Sequence, residues 1–155
     1  MTADVTYDVP TTAGRVRGVL HPRTGVRTWR GVPYGATTAR AHRFRAPRPR
    51  EPWNGVRDAT RFAPPAMQGN FGWKDSVTGT EDCLTLDIVR PDTDEVLPVV
   101  VYFHGGTFVT GASNERVLRG YNLAQATDVV YVSVNFRLGV LGYLDFRSIG
   151  TDCVA

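Results

Sequence analysis

Lysine is nearly missing from this chain: of 18 basic residues, only Lys74 is not arginine. Cysteine is almost as scarce, with Cys83 and Cys153 far apart and no histidine close to either. Two isolated thiols build neither a disulfide framework nor a zinc site, whose ligands come at short repeated spacings. The first ten residues, Met1 to Pro10, hold neither a basic nor an apolar stretch, so no secretory leader is expected. Lone thiols without a leader point to a reducing, cytoplasmic setting. No segment approaches the ~20 consecutive apolar residues of a membrane helix, which excludes a spanning protein of that kind. The chain is not short of apolar residues, however. Of its 155 residues 42% are hydrophobic, and glycine plus proline supply 26, below a low-complexity composition. Length and composition fit one ordinary globular domain.

The charge is uneven. Twelve arginines lie at or before Arg61, where the only acids are Asp4, Asp8, Glu51 and Asp58. Such a bias could serve a nucleic acid or another anionic surface. The densest run, Arg40 to Arg50, is broken by Pro47 and Pro49 and cannot form a continuous basic helix. The preferred reading is that these arginines pair with acids further along the chain, with no nucleic-acid partner.

Residues 15–19 and 26–32 are short β-prone runs, and His21-Pro22-Arg23-Thr24-Gly25 between them reads as a hairpin turn. From Pro33 to Gly79 the chain is rich in proline, glycine and aromatics without helical or alternating pattern. It reads as a long ordered excursion anchored by Phe44, Trp53, Phe62, Phe71 and Trp73. Leu84, Leu86 and Ile88 then alternate with Thr85 and Asp87, the pattern of a half-buried strand ending at Pro91. The apolar run Val99 to Phe103 predicts a strand covered on both faces. Residues 114–127 are weakly helical, and Val129 to Val134 is a further apolar strand. Central strands separated by a helical segment imply an α/β layer structure with a mixed or parallel sheet.

His104-Gly105-Gly106 follows the apolar strand directly. Glycines let a backbone turn sharply and present N–H groups outward. Donors fixed in that way stabilise the oxyanion of a tetrahedral intermediate in acyl transfer. On the tripeptide alone, such a loop and a plain Gly-Gly turn stand side by side.

The wider series is more specific. Trp29 to Tyr34, Arg43-Phe44 with Pro47, Pro52-Trp53, Glu81-Asp82-Cys83-Leu84, His104-Gly105-Gly106-Thr107-Phe108 and Asn135 to Gly139 occur in that order. Together they resemble the N-terminal part of the type B carboxylesterases, the α/β-hydrolase family that includes the cholinesterases, over about Gly14 to Leu144. The resemblance implies the front of an α/β-hydrolase fold, with a β-hairpin, central strands of a mixed sheet and a long Pro/Gly-rich excursion. It implies a serine esterase acting on small-molecule carboxylic esters, without metal or cofactor. By resemblance the backbone N–H groups of Gly106 and Thr107 are the oxyanion donors, and Gly105 shapes the turn. Many relatives have a third glycine where Thr107 stands; the donor survives if threonine adopts the local dihedrals. Arg43 and Glu81 match an ion pair of the family. Cys83 matches a cysteine that is bridged in secreted members, and its partner position falls near Ala66, so Cys83 is expected to be a free thiol. His104 is read as a structural residue of the loop, because the family's base follows its nucleophile in sequence.

The nucleophile elbow G-x-S-x-G occurs nowhere in the 155 residues, whose serines are Ser76, Ser113, Ser133 and Ser148. Residues 1–155 are therefore expected to form an incomplete α/β-hydrolase domain, truncated before that elbow and inactive alone. The strand at Val129 to Val134 is expected to be left with a bare edge. The alternative is a non-catalytic cholinesterase-like binding protein.

Overall fold

A computed structural model describes residues 5–70 and 76–147. Phe71, Trp73, Ser148 and Cys153 lie outside the described residues.

The chain opens with β1 (Thr6–Pro10), β2 (Arg15–Leu20) and β3 (Val26–Pro33). β1 pairs antiparallel with β2, and β2 with β3. The turn between β2 and β3 is closed by His21 N–H donating to Val26 O and Gly25 N–H to His21 O, at 2.8 and 2.9 Å. Gly25 has φ +65°, the left-handed conformation that favours glycine there. β1 has no apolar pattern and was not legible in the sequence.

The proline-rich stretch that follows is ordered by short pieces. β4 (Val56–Asp58) runs parallel to β2, and β5 (Gln68–Asn70) pairs antiparallel with β6 (Ser76–Thr78). Trp53 packs against the cluster of Val16, Trp29, Val32 and Ala59, and Phe44 meets Phe146 edge-on at 5.0 Å.

The centre of the sheet comes from β7 (Thr85–Pro91), β8 (Val99–Phe103) and β9 (Val130–Val134), with α1 (Tyr121–Thr127) before β9 and α2 (Val140–Tyr143) after it. The order across the sheet is β1-β2-β3-β7-β9-β8, mixed in direction. β7 and β9 are antiparallel, whereas β8 and β9 are parallel and joined through α1. A parallel pair needs such a crossover. The core under α1 gathers Val26, Val89, Ala124 and Tyr131.

Three expectations change. First, the run Val99 to Phe103 is an edge strand among the described residues. Val99 is 61% exposed, Val101 53% and Phe103 63%, so neither edge nor faces are fully covered. Second, β9 is not the bare strand, because β7 and β8 flank it; the open edge belongs to β8. Third, alternation placed Asp87 outward, yet it is buried together with Val89, while Leu86 and Ile88 are only half-buried. β7 is central and covered on both sides, and Asp87 is tolerated inside because hydrogen bonds satisfy it.

Of the twelve arginines up to Arg61, two meet later acids among the described residues, so most of the expected pairing is not made. Arg27 pairs with Asp92 and Asp94, each at 2.6 Å, and Arg43 pairs with Glu81. Among the described residues no helix is long and apolar enough to cross a membrane.

Candidate functional site: the loop after β8

β8 delivers the chain into His104-Gly105-Gly106-Thr107-Phe108 at the sheet's edge. His104 is buried and stacks on Phe136, with centroids 4.4 Å apart and planes 14° from parallel. Its Nδ1 lies 2.8 Å from the carbonyl oxygen of Gly105. A carbonyl only accepts, so Nδ1 carries the proton and donates. Nε2 is buried without a partner among the described residues. The imidazole is thus spent on holding the loop's entry and does not face solvent.

Beyond Gly105 the backbone reverses. Gly106 has φ +116°, Thr107 +51° and Phe108 +61°. The turn closes when Val109 N–H and Thr110 N–H both donate to Gly106 O, at 3.0 and 3.1 Å. A Cβ on Gly106 would overlap the Thr110 carbonyl. Gly105 is different: a Cβ there meets nothing, and its φ is not left-handed. The turn that the sequence assigned to Gly105 is therefore made by Gly106, the position where dihedral and space both demand glycine. Thr107 does adopt the local dihedral, at about 1–2 kcal/mol for a side chain in left-handed backbone.

Successive backbone N–H groups in a turn can form an anion-binding concavity. Gly106 and Thr107 are exposed, and among the described residues their N–H groups make no hydrogen bond. Donors without internal partners, in a turn that cannot easily refold, are available to an anion.

The far side of the loop is tied down by residues that the sequence reading did not single out for this purpose. Gly139 N–H donates to Phe108 O at 2.7 Å. The side-chain amide of Gln68 clamps the backbone of Gly111, accepting from its N–H and donating to its carbonyl, each at 2.9 Å. Asn135, buried at the end of β9, accepts from Ser113 N–H at 2.9 Å and donates to Thr85 Oγ1 at 3.3 Å. Ser113 Oγ donates to Asp87 at 2.5 Å, and Gly31 N–H donates to the other Asp87 oxygen at 2.8 Å. Ser133 Oγ closes the cluster on Ser113 O at 2.8 Å. Burial pushes the Asp87 carboxyl above its ordinary value, while the bonds from Ser113 and Gly31 pull the other way.

Arg43 and Glu81 form a two-pronged ion pair, with Nε to Oε2 at 2.9 Å and a second contact from Nη2 to Oε1. The Arg43 guanidinium holds the Glu81 carboxyl below its usual value. The arginine side chain is 45% exposed and the glutamate's 14%, so the pair is open to solvent on the arginine's side. Cys83 is free and 1% exposed, packed with Ala66, Leu84 and Leu138. Burial raises its thiol to about 11. Ala66, the position matched to a bridging cysteine, sits in that same cluster and offers no sulfur.

A mixed α/β sheet with a glycine turn of unengaged donors after a parallel strand is the layout of an α/β-hydrolase. The chain belongs to the carboxylesterase family, whose profile matches residues 6–152. It is 36% identical over 150 residues to the para-nitrobenzyl esterase of Bacillus subtilis, covering 93% of this chain and 30% of that protein. It is 39% identical over 142 residues to the phenmedipham hydrolase of Pseudarthrobacter oxydans, covering 86% and 28%. A solved PNB esterase structure superposes with a TM-score of 0.85 at 36% identity, covering 95% of this chain and 30% of that one. The chain spans about 30% of the length of the relatives it matches.

Proposed function

We propose that this chain carries the oxyanion-stabilising loop of a carboxylic-ester hydrolase, with the N–H groups of Gly106 and Thr107 as donors. The observation that carries the reading is the pair of unengaged N–H groups on an exposed turn whose far side is clamped by Gln68 and Gly139. When a nucleophile attacks an ester, the carbonyl oxygen gains charge, and fixed donors stabilise it without reorganising. Loss of one such donor typically costs about 10²–10³ in rate. Gly105 keeps the approach open, since no side chain stands there. The substrate class is a small-molecule carboxylic ester, and acyl transfer through a serine needs no cofactor.

The nucleophile is not among the described serines. Ser113, in the loop before α1, and Ser133, in β9, are each 1% exposed and hydrogen-bonded internally, Ser76 belongs to β6, and none bonds to a histidine. The sequence has no G-x-S-x-G. We therefore read these residues as one portion of a serine esterase, inactive by themselves. The open edge and exposed apolar faces of β8 support that reading, because parallel strands are ordinarily covered on both faces. The cytoplasmic setting belongs to the same proposal, supported by the free, buried thiol of Cys83.

A graft tests it. This chain replaces the matching segment of the Bacillus subtilis para-nitrobenzyl esterase, and release of nitrophenol from a short-chain ester is followed. The hybrid is expected to turn over, and the chain alone is not. A folded hybrid without turnover, or organophosphate-sensitive turnover by the chain alone, would refute the reading.

A further inference from the structure

A second concave site lies away from the loop. Between the β2–β3 turn, the Thr60–Phe62 segment and the start of α1 is a cleft of about 550 Å³, a size typical of small-molecule sites. Its polar wall is made by Arg30, Arg61, Arg119 and His21, and its apolar side by Val19 and Leu20. No carboxylate lines it among the described residues.

Thirteen of the 17 arginines form no ion pair among the described residues, and three of these converge on this cleft. Arg17, Arg27, Arg43 and Arg147 each form an ion pair, whereas Arg30, Arg61 and Arg119 form none among the described residues. Two of the three are nevertheless fixed in place. Arg30 donates to Thr60 O at 3.1 Å and to the Tyr121 hydroxyl at 3.3 Å, and Arg119 donates through Nε to Asn114 O at 3.0 Å. Both guanidinium carbons lie 4.8 Å from the centre of the Phe62 ring. Arg30 Nε is buried with no partner among the described residues. Two guanidiniums against one ring repel each other, and their field is felt nearby. Burial first, then the charges of Arg30, Arg23 and Arg119, lower the His21 imidazole from its ordinary value. Asp87 also senses Arg30 and Arg119, but its oxygens are taken by Gly31 and Ser113.

We propose that this cleft binds a small organic phosphomonoester, its phosphate held by Arg30, Arg61 and Arg119 and its carbon portion against Val19 and Leu20. Guanidinium edges match phosphate oxygens in pairs, and a dianion answers more of the unpaired charge than a carboxylate does. The site does not depend on the ester-hydrolase reading, for it shares no residue with the loop after β8.

Equilibrium dialysis of the 155-residue chain at low salt tests it, with phenyl phosphate as probe and acetate and a single-stranded oligonucleotide as competitors. Saturable binding of one equivalent is expected, weakened about tenfold by Arg61→Gln and by Arg119→Gln, as for loss of one charged contact. Arg61 makes no hydrogen bond among the described residues, so its variant leaves the fold intact. The proposal is overturned by absence of saturable binding, by unchanged binding in both variants, by acetate displacing the probe equally well, or by tighter binding of the oligonucleotide.

Discussion

Replacing Gly106 with alanine should strongly destabilise this chain. At φ +116° the backbone lies where a non-glycine residue pays about 1–3 kcal/mol. The new Cβ also overlaps the Thr110 carbonyl, which can withdraw only if the turn opens. Opening it forfeits the bonds from Val109 and Thr110 to Gly106 O, about 0.5–1.5 kcal/mol each. The combined loss is roughly 2–6 kcal/mol, comparable to the whole stability of a marginal domain. Gly105→Ala, one residue earlier, is the control. It meets open space at an ordinary φ and should stay within about 1 kcal/mol of the parent. Urea unfolding followed by tryptophan fluorescence reads both, since Trp29 is 4% exposed in the core. With a slope of about 1–3 kcal/mol per molar urea, Gly106→Ala lowers the midpoint by roughly 2 M or leaves the chain unfolded in buffer. Coincident curves for Gly106→Ala and the parent would refute the reasoning, as would Gly105→Ala proving the more harmful.

Asp87→Asn should stabilise the chain at neutral pH, because the amide oxygen still accepts from Gly31 N–H, the amide nitrogen donates to a rotated Ser113 hydroxyl, and a buried charge is removed. The folded carboxyl binds its proton more tightly than the unfolded one, so stability falls as pH rises through the ordinary value of 3.8 toward the raised one. The advantage of Asp87→Asn in urea midpoint should therefore vanish below that ordinary value; an advantage independent of pH would contradict it. In a Cys153→Ser background, Cys83 should resist alkylation at pH 8 until urea unfolds the chain, since its thiol is buried and raised to about 11. Modification in native buffer at the rate of a free cysteine would count against this. The chain should self-associate through β8, and Val101→Lys, at a position 53% exposed, should shift it toward monomer in sedimentation velocity. A parent chain already monomeric at high concentration would remove the basis for that expectation.

What could be read from the sequence was whatever local chemistry dictates. The β2–β3 hairpin was announced by proline and glycine between two β-branched runs, and the glycine turn after β8 by His104-Gly105-Gly106. Which of the two glycines mattered was not readable, because that depends on Thr110 folding back over Gly106. Asp87 was placed outward by alternation, and only the arrival of Ser113 from a distant loop makes its burial tolerable. Gln68 gave no signal at all: one amide in a proline-rich stretch becomes a clamp only when Gly111 is brought beside it. The run Val99 to Phe103 was rightly a strand, but its apolar faces were read as a statement about neighbours that the described residues do not supply. Charge told a similar story. Arg27 and Arg43 found acids downstream, whereas Arg30, Arg61 and Arg119 converge on a cleft that no linear pattern revealed.

The bonds that secure the loop after β8 have an order in time as well as in space. Its fastenings come from Gln68, Asn135 and Gly139, all of which leave the ribosome before the last residues described here. Synthesis runs from the N-terminus at about 5–20 residues per second, so this turn can be finished within seconds of Gly139 emerging. The same interval leaves β8 uncovered. A nascent chain of this kind would hold a finished glycine turn beside an adhesive strand, and shielding that strand in the interval is where a chaperone would have most to contribute.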